Sequence, residues 1–134
     1  MEDRCTKEEW KITVETKKIL DPNILLSATC VRVPVFVGHA ESVNIEFDSE
    51  VNSKKIRECL EKAPGCKVVD ETKDGGYITP VESSGDFLTY ISRIRADHSQ
   101  KNSINMWVVS DNLLKGAALN AVQIANALIK KYIK

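Results

Sequence analysis

The feature that most constrains this chain is strict alternation at residues 41 to 48, where Val43, Ile45 and Phe47 are apolar and Ser42, Asn44, Glu46 and Asp48 are polar. A period of two with one wet side predicts a strand in a sheet that buries a single face. A second alternating run follows at Phe87 to Arg95, with Phe87, Thr89, Ile91, Arg93 and Arg95 on one side and Leu88, Tyr90, Ser92 and Ile94 on the other. Ile104 to Ser110 comes next after a polar loop, so the last two runs are expected to pair as antiparallel neighbours.

Helices are predicted around these strands. Thr6-Lys-Glu-Glu9 is a capping box that starts a helix over about residues 7 to 20, stopped by Asp21-Pro22. Asn52 or Ser53 caps a second helix through about Ala63, with Ile56, Cys59, Leu60 and Ala63 facing the core. A short strand at Lys67 to Val69 precedes turn-rich residues 70 to 76, and residues 79 to 86 read as loop. Asp111 or Asn112 caps the last helix, whose apolar stripe runs through Leu114, Ala117, Ala118, Ala121, Ala125, Leu128 and Tyr132 and ends in Lys130, Lys131 and Lys134. Residues 25 to 33, rich in β-branched and apolar types, are expected to form a further strand that Pro34 limits.

With 134 residues the chain suits one core that buries roughly two thirds of its unfolded surface. Nineteen basic residues against 19 acidic ones leave no net field, which disfavours nucleic acid and anionic membrane as partners. Cys5, Cys30, Cys59 and Cys66 form no CxxC pair or dense disulfide pattern, so reduced thiols in a cytoplasm are expected, and no metal site. No apolar run approaches the ~20 residues that span a bilayer, and a soluble protein is expected.

One stretch carries chemistry that burial does not require. Ser27-Ala-Thr-Cys-Val-Arg-Val-Pro-Val-Phe-Val-Gly-His39 sets a guanidinium and an imidazole in an apolar run. Arg32 offers a planar fork for a carboxylate and His39 an acid/base near neutral pH. Glu8 and Lys11, three apart on the first helix, could join them, Glu8 for an ammonium and Lys11 for a phosphate; spacing alone favours a solvated ion pair over that reading. A competing reading makes Cys30 a nucleophile activated by His39, although a mid-strand thiol among apolar neighbours is usually inert. His98 reads as a solvent-exposed loop residue.

These residues also resemble a known family. The Ser27 to His39 stretch, preceded by Lys7-Glu-Glu-Trp-Lys11 and followed by Val109-Ser-Asp-Asn-Leu-Leu-Lys-Gly-Ala-Ala118 and Leu119-Asn-Ala-Val-Gln-Ile-Ala125, is similar to aspartate-semialdehyde dehydrogenase over nearly the whole chain. The resemblance implies an α+β fold of mostly antiparallel sheet with helices on one face, like the C-terminal domain of glyceraldehyde-3-phosphate dehydrogenase, plus a terminal helix. Residues 1 to 112 are then a catalytic and dimerisation domain, and 113 to 134 a helix that packs on a nucleotide-binding domain. The implied reaction is the NADPH-dependent reductive dephosphorylation of L-aspartyl 4-phosphate to L-aspartate 4-semialdehyde, on the route to lysine (through diaminopimelate), threonine and methionine.

The same resemblance implies roles. Arg32 would hold the substrate α-carboxylate, His39 would be the acid/base, Glu8 would meet the ammonium, Lys11 the phosphate, and Asn112 the NADP cofactor. The family's nucleophilic cysteine and Gly-rich phosphate loop lie upstream of the first matching block, and none of the four cysteines here replaces the nucleophile. The chain alone is therefore expected to be inactive and to form a homodimer or higher oligomer. The reading from a different class is a noncatalytic dimerisation or amino-acid-binding regulatory module.

Overall fold

The computed structural model describes residues 4–133 and divides the chain into two compact units, one ending at Pro34 and one beginning at Val35. The first unit is built on α1, Lys7–Ile19. Its capping box forms as the sequence predicts: Thr6 Oγ1 accepts the Glu9 N–H at 3.2 Å, and Glu9 Oε2 accepts the Thr6 N–H at 2.7 Å. Residues 25 to 33, expected to form a strand, do not. Residues 25 to 30 alternate between exposed and half-buried, 31 to 33 are exposed, and none of them enters a strand. The Cys30 N–H, which a strand would give to a neighbouring carbonyl, donates instead to Glu9 Oε1 at 2.8 Å.

The second unit holds one four-stranded sheet of β1 (His39–Glu46), β2 (Cys66–Val68), β3 (Thr89–Ala96) and β4 (Ser103–Ser110), in the order β1-β4-β3-β2. The β1/β4 and β3/β4 pairs are antiparallel and β2/β3 is parallel. Val43 pairs with Met106 and Ile45 with Ile104, so the apolar side of the first alternating run meets that of β4. Ile91, Ile94, Ile104 and Met106 form the buried cluster, and α2 (Ser53–Glu61) covers it with Ile56 and Leu60. Cys59, expected in that core, is exposed: the contact follows the Ile56–Leu60 row, and Cys59 falls outside it.

The alternation expected of β3 breaks at one point. A bulge between Ser92 and Arg95 inserts an extra residue, with Arg93 at φ 55°, which places Ile94 in the same cluster as Ile91. Asp70 holds the bulge, accepting the Arg93 N–H at 2.6 Å and the Ile94 N–H at 3.1 Å while Arg57 pairs with its carboxylate.

On the other face of β3 and β4, Tyr90 Oη donates to Asp86 Oδ2 at 2.6 Å in the segment expected to be loop, and Ser92 and Trp107 meet Ile78 just before it. Trp107 Nε1 donates to the Ile78 carbonyl at 2.9 Å, and Ser92 Oγ accepts the Ile78 N–H at 3.3 Å. Within that segment Pro80–Ser83 forms a short helix, α3, because Thr79 and Glu82 make a capping box ahead of a proline at the first helical position.

After β4 the chain makes a π-helical turn, Leu114–Ala118, and continues as α4, Leu119–Tyr132. Every residue of α4 from Asn120 onward is exposed, including Val122, Leu128 and Tyr132 of its apolar surface. Lys130 and Lys131 occupy the last turn as expected; Lys134 lies outside the described residues. Among the described residues no helix is long and apolar enough to cross a membrane.

Candidate functional site

The singled-out residues fall in both units. Glu8, Lys11 and Arg32 belong to the first, His39 and Asn112 to the second. In the first unit the (i, i+3) spacing on α1 brings Lys11 Nζ to 3.9 Å from Glu8 Oε1, with both side chains about half exposed. Such a pair is weak and salt-screened, so both groups remain open to a charged ligand. Arg32 is exposed, two residues beyond the amide that Glu9 holds.

Cys30 sits in a setting hostile to nucleophilic chemistry. Desolvation pushes its thiol pKa up, the carboxylates of Glu9 and Glu8 push the same way, and only Arg32 opposes them. A raised pKa leaves less thiolate at neutral pH, which argues against the Cys30/His39 hydrolase reading.

In the second unit His39 is the first residue of β1, opposite Ser110, the last of β4. Ser110 also pairs with Thr89, the first of β3, and Thr89 with Cys66 of β2. His39 thus stands at one end of a row that crosses all four strands at a single end of the sheet. Its imidazole is on the exposed rim rather than in the core.

The backbone leading into His39 is tightly specified. Gly38 has φ +106°, and a Cβ added there would lie 2.9 Å from Pro80 Cβ. Its N–H donates to Asn112 Oδ1 at 2.8 Å. Of Asp111 and Asn112, either of which the sequence offers as the helix cap, Asp111 takes the role: its Oδ1 accepts the Leu113 and Leu114 N–H groups at 2.7 and 3.0 Å. Its Oδ2 accepts the Gly85 N–H at 2.8 Å, and these donors hold the buried carboxylate below its usual pKa, Gly85 most strongly. Glu9 and Asp111 do positioning work that their sequence signatures do not reveal. Each sat in a cap signature that accounted for only one of its oxygens.

Residues 1–115 match the semialdehyde dehydrogenase, dimerisation domain family. The chain belongs to that family. Among relatives, this dimerisation domain is 53% identical over 131 residues to an aspartate-semialdehyde dehydrogenase of Rickettsia bellii, covering 98% of the chain and 39% of the relative. Its fold matches aspartate semialdehyde dehydrogenase II of Vibrio cholerae, solved in complex with ASA, at TM-score 0.94 and 41% identity over 99% of the chain and 39% of that enzyme. The Candida albicans enzyme, solved with NADP, matches at TM-score 0.80 and 26% identity over 97% of the chain and 44% of its own. The dimerisation domain therefore spans about two fifths of the length of the relatives it matches. The expected α+β class holds: a mostly antiparallel sheet, helices and a terminal helix.

Proposed function

We propose that this chain supplies the substrate-binding and dimerisation half of an NADP-dependent aspartate-semialdehyde dehydrogenase, cytoplasmic and acting in lysine, threonine and methionine biosynthesis. The observation that carries the reading is the near end-to-end match, 99% of the chain at TM-score 0.94, to an enzyme solved with ASA. The charged groups present suit that chemistry. An amino acid phosphorylated on its side chain carries a carboxylate, an ammonium and a phosphate; Arg32, Glu8 and Lys11 offer a guanidinium, a carboxylate and an ammonium in return.

Arg32 grips the α-carboxylate through two parallel N–H bonds and so fixes the substrate's orientation. Glu8 takes the α-ammonium and Lys11 the phosphate. His39 then moves the proton at the oxygen on C4, giving it as that oxygen gains negative charge and removing it as the aldehyde is released. The attacking thiol comes from the rest of the enzyme.

Asn112 suits a cofactor contact: it is half-buried beside His39, and its Nδ2 makes no hydrogen bond among the described residues, which leaves amide donors free. NADPH, when bound, supplies the hydride. Residues 1 to 112 form the catalytic and dimerisation domain, and the helix of 113 to 134 packs on the nucleotide-binding domain, where the apolar side chains that α4 exposes are covered. The chain alone is inactive and forms a homodimer or higher homo-oligomer.

The test is NADP- and phosphate-dependent oxidation of aspartate semialdehyde by the chain alone and mixed with a separately produced nucleotide-binding half. The reading expects turnover only in the mixture, abolished by His39→Ala, with Arg32→Ala acting mainly through substrate KM. Silence in a mixture shown to assemble overturns it.

A further inference from the structure

His39 is delivered to the end of the sheet by a glycine that β-sheet pairing does not hold. Gly38 precedes β1, has a backbone conformation that side-chain-bearing residues rarely adopt, and is backed by Pro80 so closely that no Cβ fits. Its amide goes to a side chain, Asn112 Oδ1, at 2.8 Å. That side chain is two residues past Ser110, the β4 partner of His39. Asp111, between them, holds the Gly85 amide and so ties down the far end of the loop that begins at α3 and its Pro80. Two consecutive side chains thus hold the Gly38 amide and the Gly85 amide, five residues past the Pro80 that backs Gly38.

We propose that Asn112 is a positioning residue for His39: its Oδ1 anchors the Gly38 amide and thereby sets the backbone from which the imidazole projects, while its Nδ2 would be the group left to contact the cofactor. The proposal rests on the reading of His39 as the acid/base. It divides one amide group between two tasks, so the two tasks respond differently to substitution. Asn112→Asp keeps an acceptor for Gly38 and removes the Nδ2 donors; Asn112→Ala removes both.

The structural arm follows hydrogen exchange at the Gly38 amide by 15N NMR in this chain. Exchange is expected to accelerate at least ~10-fold in Asn112→Ala and to stay near wild type in Asn112→Asp, since the amide is protected only while its acceptor remains. The kinetic arm uses the enzyme assembled with the nucleotide-binding half. There kcat is expected to fall about 10- to 100-fold in Asn112→Ala, the scale of a misplacement near 1 Å, and to recover in Asn112→Asp with substrate KM unchanged. KM for NADP rises in both variants.

Unchanged Gly38 exchange in Asn112→Ala overturns the proposal, and so does an equal kcat loss in Ala and Asp, which assigns the effect to the amide donors. Where Asn112→Ala does not fold, Asn112→Ser, whose hydroxyl stops short of Gly38, is read in the same way. His39→Ala run alongside separates the two claims. Full activity of His39→Ala overturns the acid/base reading itself, whereas full activity of Asn112→Ala beside an inactive His39→Ala overturns only the positioning role.

Discussion

Glu9 Oε1 accepts the backbone N–H of Cys30 at 2.8 Å, joining the first turn of α1 to the segment that carries Arg32. The other oxygen of the same carboxylate closes the helix cap on Thr6. Glu9→Ala is therefore expected to lose cap stability of about 0.3–1.5 kcal/mol in urea unfolding and also to release the Cys30 amide to rapid exchange. Glu9→Gln keeps an acceptor and sits between the two. Unchanged exchange at Cys30 in Glu9→Ala would sink the bridging role.

The thiol of Cys30 gives a second, independent readout of the same carboxylate. Desolvation, then the negative charges of Glu9 and Glu8, hold its pKa above the usual value. Alkylation of native protein at pH 7, followed by mass spectrometry, is expected to be slower at Cys30 than at exposed Cys59. Neutralising one carboxylate by Glu9→Gln speeds it. Cys30 reacting fastest of the four would restore the hydrolase reading.

Acid sensitivity follows from carboxylates whose pKa is depressed on folding. Asp111 is lowered by backbone N–H donors, and Asp97 is pulled down to about 2, chiefly by Ser99. A depressed folded pKa means stability that is fully present above the unfolded value near ~3.9 and is lost as pH falls through the folded one. For Asp97 that window runs from about pH 4 to about pH 2. Thermal melts between pH 7 and pH 2.5 are expected to show Asp111→Asn and Asp97→Asn less stable than wild type at pH 7. The gap narrows in acid, and a gap constant with pH contradicts the assignment.

Ile104 and Val122 are both apolar, and the fold treats them oppositely. Ile104 is 1% exposed in the sheet core and Val122 is 57% exposed on α4. Ile104→Ala is expected to cost about 2–5 kcal/mol in urea unfolding. Val122→Ala, as a surface change, stays within about 0.5 kcal/mol but weakens assembly with the nucleotide-binding half, measured by titration. Large destabilisation by Val122→Ala in the chain alone would place α4 in its own core.

Local signals fixed most elements to within a residue or two. The Thr6/Glu9 box, the Asn52 cap, and the alternation of Val43, Ile45 and Phe47 all specify their element without help from distant residues. Failures came where a remote partner decides. Residues 25 to 33 look like a strand in composition, yet a strand needs a neighbour, and the Cys30 amide finds a carboxylate instead. The Thr79 to Glu82 cap is present in the sequence, but the helix it starts ends after one turn, too short to show a helical period among loop residues. Asp111 and Asn112 carry the same short cap signature; only the fold separates them, sending one to Gly85 and the other to Gly38. Arg32, His39, Glu8 and Lys11 declared their chemical type in the sequence, while the roles proposed for them rest on family resemblance.

The bulge in β3 puts a phase slip into a strand. Up to Ser92 the strand keeps one register with β4, and from Arg95 it keeps another, one residue out of step. Had the strand run straight, Ile94 would point away from Ile91 and Ile104 would lose a neighbour on its own side. The slip is held by Asp70, 23 residues before Arg93 in sequence. Transplanting residues 89–96 into another sheet without Asp70 would therefore carry over the letters but not the facing, since part of this strand's instruction is written elsewhere in the chain.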